Sequence, residues 1–401
     1  MMWPISAIRR ASPIGQVAEL GCASPVGQVA ESGCASPMGQ VAKWVRHALT
    51  LGAVVVGIAV QVGCANAASS ERIASPAAGA RYLGAYPGYG TGEENRVTAR
   101  ALRNYRAASG RKPAWVYFSN EWGQEGITFP ARAVGIVRRA GSVPFIRLMP
   151  RSTLEEGARE RRFTLERILA GQFDPQLRAW GAAAGAASKP LLVEFLTEVN
   201  GDWFPWNGRY HGGGATAGYG DPHLADGPER ARDAYRHVVR TIRAGGGTNI
   251  TWVFHIDADG SPGAAWNAAR NYYPGNAYVD WIGYSAYGAQ TNADPWVAPG
   301  PIIRAGYRQA ASLSRTKPIV LLEFGVTERR GVSKAAWING AFDAVESPSL
   351  RRLIGVSWWN ERFQNSDETW TDLRFTSSPS ARTAFRARVA SSRYLGTVSA
   401  R

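Results

Sequence analysis

The strongest constraint in this chain is a count. Eight short apolar runs, beginning near Tyr82, Ala114, Val143, Leu191, Ile250, Tyr278, Ile319 and Leu353, alternate with segments of helical periodicity. Each run is rich in Val, Ile, Leu or aromatic residues and too short for a buried helix, so each reads as a strand. Between them, Val97, Ala101, Leu102 and Tyr105 share one helical face before Gly110. Pro228 opens another helix, carrying Ala231, Tyr235, Val238 and Ile242 before Gly245. Strands alternating with helices pair in parallel. Eight such units in about 320 residues predict an α/β fold of the closed (β/α)8 TIM barrel type. A doubly wound open sheet is the rival, but no Gly-x-Gly-x-x-Gly turn follows the first strand.

A chain of 401 residues, 45% hydrophobic and 19% charged, can bury such a core, and that balance excludes disorder and a coiled coil. The net charge is +15, yet the basic residues read as scattered through every expected helix, which argues against a nucleic-acid partner. The expected catalytic domain spans 81–395, and Cys22, Cys34 and Cys64 all precede it, so no disulfide is expected inside it.

The segment ahead of the domain reads as a leader. Lys43 and Arg46 precede an apolar or small run from Ala48 to Val60 and then Ala65-Asn66-Ala67, the form of a secretory signal at 38–67 cleaved after Ala67. The run is shorter than the ~20 residues of a membrane span, so a secreted or periplasmic protein without stable membrane insertion is expected. Cys64 offers lipid attachment as the alternative, although Gln61 stands where such signals carry an aliphatic residue. Residues 68–80 read as a short linker. Upstream, Ala-Ser-Pro-x-Gly-Gln-Val-Ala recurs from Ala11, Ala23 and Ala35, too short a period for a solenoid. Met38 lies inside the third copy, and residues 1–37 are expected to be absent from the natural protein.

Two strands end in carboxylates. The fourth reads Leu191 to Glu198 and the seventh Ile319 to Glu323. The carboxyl ends of barrel strands face one pocket, so these glutamates can converge there. Glycosidic hydrolysis needs such a pair, one to protonate the departing oxygen and one to attack the anomeric carbon or activate water. Glu194, in mid-strand, reads instead as a structural carboxylate paired with an Arg or a backbone donor. Asn200, Asp202, Trp203, Phe204 and Trp206 follow Glu198, and aromatic faces beside hydrogen-bonding side chains suit sugar rings, packing being the alternative for any one Trp.

The run Glu198-Val199-Asn200-Gly201-Asp202-Trp203-Phe204-Pro205-Trp206 is similar to the acid/base signature of glycoside hydrolase family 26, the β-mannanase family of clan A. Tyr272-Tyr273-Pro274-Gly275, Val279-Asp280-Trp281-Ile282-Gly283 leading to Tyr287, and Lys317-Pro318-Ile319 leading to Glu323-Phe324-Gly325 extend the resemblance from about Tyr82 to Val389. The resemblance implies Glu198 as acid/base, Glu323 as nucleophile and Tyr287 as hydrogen-bond donor to the nucleophile. It also implies Trp203 and Trp358 or Trp359 at the subsites around the cleavage point. Family mannanases usually carry His before the acid/base and Asp-x-Tyr on strand 6; here stand Thr197 and Ser285-Ala286-Tyr287. The substrate stays open among β-mannan, mixed-linkage or other β-glucan, and β-xylan.

Other residues at strand ends hold weaker claims. His255 reads as a substrate contact or a plain hydrogen-bonded residue, and Arg147 as a substrate contact or a brace for a carboxylate. Trp115, Tyr117 and Trp122 read as distant stacking positions or as packing. The Asp257 to Gly260 segment lacks the terminal bidentate Glu of a calcium loop, so no metal is expected. No dinucleotide or phosphate fingerprint occurs, and no cofactor is expected. The glycine-rich stretch with Gly212-Gly213-Gly214 and Gly218-Tyr219-Gly220 reads as a wall of the cleft. The sequence thus predicts an endo-acting retaining glycosidase. A non-catalytic polysaccharide-binding barrel and an inverting or transglycosylating enzyme are the alternatives.

Overall fold

The computed structural model describes residues 72–90, 94–365 and 369–399; the repeat, the leader and the cysteines lie outside them. Eight parallel strands form the barrel: β1 (Arg81–Tyr86), β2 (Trp115–Glu121), β3 (Val143–Met149), β4 (Leu191–Phe195), β5 (Ile250–Asp257), β6 (Trp281–Tyr287), β7 (Ile319–Gly325) and β8 (Leu353–Trp359). Pairing of β1 with β8, Tyr82 opposite Gly355 through Tyr86 opposite Trp359, closes the ring. The fold is therefore the (β/α)8 barrel expected from the alternation.

Helices cover the outside: α1 (Ala99–Ser109), α2 (Trp122–Glu125), α3 (Ala131–Arg139), α4 (Leu165–Leu169), α5 (Asp174–Ala186), α6 (Asp226–Ala244), α7 (Ala269–Tyr272), α8 (Pro299–Leu313), α9 (Lys334–Val345) and α10 (Pro379–Val389). Local chemistry sets their ends. Thr98 caps α1 by accepting from the Ala101 amide, and Gly110 stops it in the left-handed conformation at φ 74°. Helix α6 starts at Asp226, two residues before the expected Pro228, because a first-turn proline needs no amide partner.

The apolar residues divide into two shells. Leu83, Val116, Ile146, Val193, Phe254 and Phe324 point outward into a core shared with the helices. Tyr82, Trp115, Phe145, Leu192, Val253, Trp281, Val320 and Ile354 fill the barrel interior. Gly84 makes room for this filling, since a Cβ there would lie 2.1 Å from Nε1 of Trp115, which donates to Ser357 at 2.8 Å. The lower interior is dry and aromatic, so charged side chains can enter only at the carboxyl ends of the strands.

Two strand boundaries are corrected. Strand β6 begins at Trp281, not Tyr278, and β4 ends at Phe195, three residues short of Glu198. Of the linker read at 68–80, the described part is held to the barrel: Arg72 pairs with Asp280 at 2.7 Å, the Ile73 amide donates to Thr251, and Ile73 is buried in the interior cluster. The carboxyl-terminal end joins it, with the Ala74 amide donating to Ser399 O and β11 (Tyr394–Leu395) pairing with β1. The short ribbon β9 (Arg362–Gln364) and β10 (Trp370–Asp372) follows β8. Among the described residues, no helix is long and apolar enough to cross a membrane.

Candidate active site

The two strand-end glutamates reach one pocket by different backbone devices. In β7, Leu321 lies opposite Tyr284 but Glu323 lies opposite Ser285, and against β8, Leu321 faces Val356 while Phe324 faces Trp358. One extra residue on β7 is a β-bulge, and it reverses the alternation of side chains. Leu322 fills the interior, Glu323 also points inward above it, and Phe324 returns to the outer core. Without the bulge, strict alternation from Val320 and Leu322 would send Glu323 outward.

Glu198 arrives through a strained turn. Leu196 and Glu198 have φ of 59° and 45°, left-handed values that cost a side-chain-bearing residue about 1–3 kcal/mol each. Surrounding bonds hold the turn. Trp206 Nε1 donates to Thr197 O at 2.8 Å, Asn207 Nδ2 to Val199 O at 3.1 Å, and the Val199 amide to His255 O at 3.2 Å. One carboxylate oxygen of Glu198, one of Glu323 and one ring nitrogen of His255 lie within 4.8 Å of one another. Two carboxylates and an imidazole form a donor set of the kind that holds zinc, but the ring nitrogens of His255 already face Glu194 and Ser285.

Each glutamate has its own donor. Trp203 Nε1 donates to Glu198 Oε2 at 2.7 Å, and the Tyr287 hydroxyl donates to Glu323 Oε2 at 2.8 Å. The other oxygen of Glu323 faces Arg147 Nη2 at 3.6 Å. Burial pushes the Glu323 carboxyl up to about 7; Arg147 and His255 pull it down, while Glu198 pushes it further up. Burial and then the Glu323 charge hold the Tyr287 hydroxyl well above its ordinary range, so it remains a donor.

Beneath the pair lies a buried charge network. Arg147 contacts Glu94 at 2.6 Å and Glu194 at 3.3 Å. Glu194 Oε1 accepts from Tyr117 and Thr197, both at 2.5 Å, and its other oxygen faces His255 Nδ1 at 3.0 Å. Burial alone would raise Glu194, but His255, Arg147 and Thr197 outweigh it and hold the carboxyl below its usual range. Trp359 stacks on Tyr86 at 3.7 Å on the β8 side, and Tyr86 donates to Glu361 at 3.2 Å.

Placement of the sequence candidates is uneven. Glu198, Glu323, Trp203, Tyr287 and Trp359 gather at the pocket. Trp358 does not: its ring is fully buried among Phe324, Trp337 and Phe385, and Nε1 donates to Leu373 O. Trp206 lies under the turn, stacked on Phe204, and is 1% exposed. Asn200 exchanges two bonds with the Asp257 backbone, tying the Glu198 turn to β5. All three make bonds that hold the surrounding backbone. His255 and Arg147 are buried behind the glutamates, which favours the bracing role for Arg147 and the hydrogen-bonded role for His255. Trp115 and Trp122 are packing, whereas Tyr117 belongs to the Glu194 network.

The glycine-rich stretch is bonded to α6: Gly218 N donates to Asp226, Asp221 N to Glu229, and Arg230 to Gly218 O. Asp257 Oδ1 accepts from the Asp259 and Gly260 amides, and burial followed by the Glu198 charge pushes its carboxyl up to about 8. A groove of about 330 Å3 between α1 and α3 contains none of these groups; it collects Arg103, Arg106, Lys112 and Arg139, basic residues read from the sequence as scattered. Sequence reading missed Glu94 and Glu361. Glu361, two residues past β8, carried the same strand-end signal as Glu198.

Known proteins resemble this chain in sequence and in fold. The family model described as Glycosyl hydrolase family 26 matches residues 177–298, a stretch holding Glu198, Trp203 and Tyr287 and ending before Glu323. Endoglucanase H of Acetivibrio thermocellus is 29% identical over 219 residues, 54% of this chain and 22% of that protein. A mannan endo-1,4-beta-mannosidase of Bacillus subtilis is 31% identical over 196 residues, 45% of this chain and 46% of that protein. The chain thus spans less than half the length of these relatives. In shape it is similar to a Cellulomonas fimi endo-beta-1,4-mannanase (TM-score 0.54, 19% identity, 79% of this chain and 72% of that one). It is also similar to GH26C from Muricauda (TM-score 0.53, 14% identity, 79% and 87%). The chain is thus similar to glycosyl hydrolase family 26 over residues 177–298, and shares its barrel fold with mannanases of known structure.

Proposed function

We propose that this chain is a retaining glycoside hydrolase that cleaves a β-linked polysaccharide, β-mannan or a related β-glycan, by double displacement. One observation carries the reading: carboxylate oxygens of Glu198 and Glu323 lie within 4.8 Å. Retaining enzymes hold their pair ~5–5.5 Å apart, whereas inverting enzymes open the gap to ~6.5–9.5 Å to admit water. In the first step Glu198 gives its proton to the departing glycosidic oxygen while Glu323 attacks the anomeric carbon. In the second, Glu198 takes a proton from water as that water displaces Glu323. The cation of Arg147 and the Tyr287 hydroxyl stabilise the Glu323 carboxylate needed for attack. Trp203 and Trp359 border the sugar on either side of the pair.

A β-glucan is the second reading of the substrate. It is favoured by Thr197 and Ser285, which depart from the mannanase pattern, and by the similarity to Endoglucanase H. Purified protein incubated with β-mannan, mixed-linkage β-glucan and β-xylan, with product anomers followed by NMR, tests both the reaction and the sugar. Retained configuration on one polymer, with Glu323→Ala inactive and revived by azide, is expected. Binding without turnover would leave a carbohydrate-binding barrel instead. We also propose export through the signal at 38–67; amino-terminal sequencing of the mature protein should begin at Ala68.

A further inference from the structure

Glu194 and His255 have no part in bond breaking under that reading, yet they occupy the most enclosed charged positions behind it. Both are 0% exposed. His255 Nδ1 lies 3.0 Å from Glu194 Oε2, and Nε2 lies 2.9 Å from Ser285 Oγ. A bare nitrogen lone pair facing a carboxylate at that distance would be repelled, so Nδ1 carries a proton. The charge count decides what Nε2 carries. With Glu198 protonated for its acid step, Glu94, Glu194 and Glu323 bring three negative charges, and Arg147 supplies one positive charge. A second cation in their midst is favoured, and Ser285 Oγ can accept from a protonated Nε2.

We propose that Glu194 and His255 are a positioning pair for the retaining reaction: Glu194 fixes His255 as an imidazolium behind the two carboxyls, and that charge keeps Glu323 ionised for attack. The inference rests on the double-displacement reading and assigns its control to a strand-4 and strand-5 couple. The groups that face the ring are Tyr117 from β2 at 3.4 Å and Glu194 and Glu198 from β4 and its turn, with Arg147 from β3 and Thr197 held on Glu194. Ser285 from β6 and Glu323 from β7 complete the set, and Tyr287 from β6 bonds that Glu323. Thr197 matters here because its hydroxyl bonds Glu194 and also accepts from Arg147 Nε at 3.3 Å, linking the pair to the guanidinium beside Glu323. The electrostatics of the ring agree, because Glu194, then Glu323 and Glu198, raise His255 against the effect of burial.

The test has two arms. Nitrogen-15 NMR of imidazole-labelled protein, with the His255 signal assigned by its loss in H255Q or H255N, should show an imidazolium persisting above pH 7; E194Q should lower the pH at which it titrates. In kinetics, H255Q keeps a donor toward Glu194 but removes the charge, so the acid limb of kcat/KM should move up by about one to two pH units. A neutral imidazole near pH 6 in the wild type, or an H255Q limb that stays where the wild type has it while kcat falls evenly at every pH, would overturn the pairing. The NMR arm needs no turnover and decides the matter if H255Q does not fold. Inverted products from active wild type would sink the double-displacement reading instead, leaving the ring's charge state to be judged by NMR alone.

Discussion

The Tyr287 hydroxyl and Arg147 Nη2 grip opposite oxygens of the Glu323 carboxyl, at 2.8 Å and 3.6 Å, so the side chain is fixed from β6 on one side and β3 on the other. A carboxylate that attacks carbon must present one lone pair along a narrow path, and this double hold removes its rotational freedom. Tyr287→Phe deletes the shorter of the two contacts without changing ring volume. A hydrogen bond to a charged group contributes ~1.5–3 kcal/mol, so kcat should fall between about tenfold and hundredfold. The acid limb of the rate profile should also rise, because the lost bond favoured the charged form. Steady-state kinetics across pH check both; a variant with unchanged kcat and profile would remove Tyr287 from the reaction.

Glu198 depends in a similar way on Trp203, whose indole nitrogen donates at 2.7 Å. Trp203 in turn lies across Gly201: a Cβ at Gly201 would come 2.3 Å from Cζ2 of that ring. Gly201→Ala should therefore push the indole off Glu198, and Trp203→Phe should remove the donor outright. Both variants are expected to lose activity by at least about tenfold, an effect near 1.4 kcal/mol. Since Trp203 is only half-buried, thermal melting should shift by less than about 4 °C in Gly201→Ala. A fully active Gly201→Ala enzyme would show that the indole position is irrelevant.

These dependencies also mark how far the sequence could be read. The barrel was legible because runs such as Leu191 to Val193 and Ile319 to Leu322 are apolar on both faces, which only an enclosed parallel strand requires. Glu198 and Glu323 were legible as strand-end carboxylates. Their orientation was not. Alternation in β7 points Glu323 the wrong way until the bulge at Leu322 is known, and bulges show only in pairing register. Likewise Leu196 gives no sign in sequence of its left-handed backbone, so β4 was read straight through to Glu198. The burial of Trp206 and Trp358 was not legible, because an indole that packs and an indole that stacks on sugar are the same residue beside the same carboxylates. Residues 72–80, mostly small, concealed one buried anchor, Ile73.

Three carboxyls near the pocket are raised by burial: Glu323 to about 7, Asp257 to about 8 and Glu361 to about 8. An acid whose folded value lies above its unfolded one contributes stability that is complete below the unfolded value and lost as pH rises through the folded one. Lys334, lowered to about 7 by burial, works in the opposite sense, adding stability as pH rises. The carboxyls outnumber it, so the melting temperature should fall from about pH 5.5 to about pH 8. Glu361→Gln keeps an oxygen for the Tyr86 hydroxyl while removing one titration. The drop in melting temperature between those two pH values should be smaller in the variant, and an equal drop would mean Glu361 is ionised throughout.

Lys334 is also a staple. It is 1% exposed at the start of α9, and its ammonium donates to Asp372 O at 2.9 Å, Arg374 O at 2.7 Å and Ser377 Oγ at 3.0 Å. These bonds fasten the segment between β10 and α10 to the first turn of α9, a segment with little apolar packing of its own beyond Leu373 and Phe375. Lys334→Met preserves the aliphatic stem but removes all three bonds, leaving Asp372 O and Arg374 O with only the Glu328 and Ser377 amides; each lost bond contributes about 0.5–1.5 kcal/mol. Urea unfolding should show a loss of roughly 2–4 kcal/mol with an unchanged slope, since the surface exposed on unfolding is the same. Proteolysis of the folded variant should begin near residues 372–378, because the loss is concentrated there. A loss under about 0.5 kcal/mol would mean that water replaces the ammonium at these acceptors.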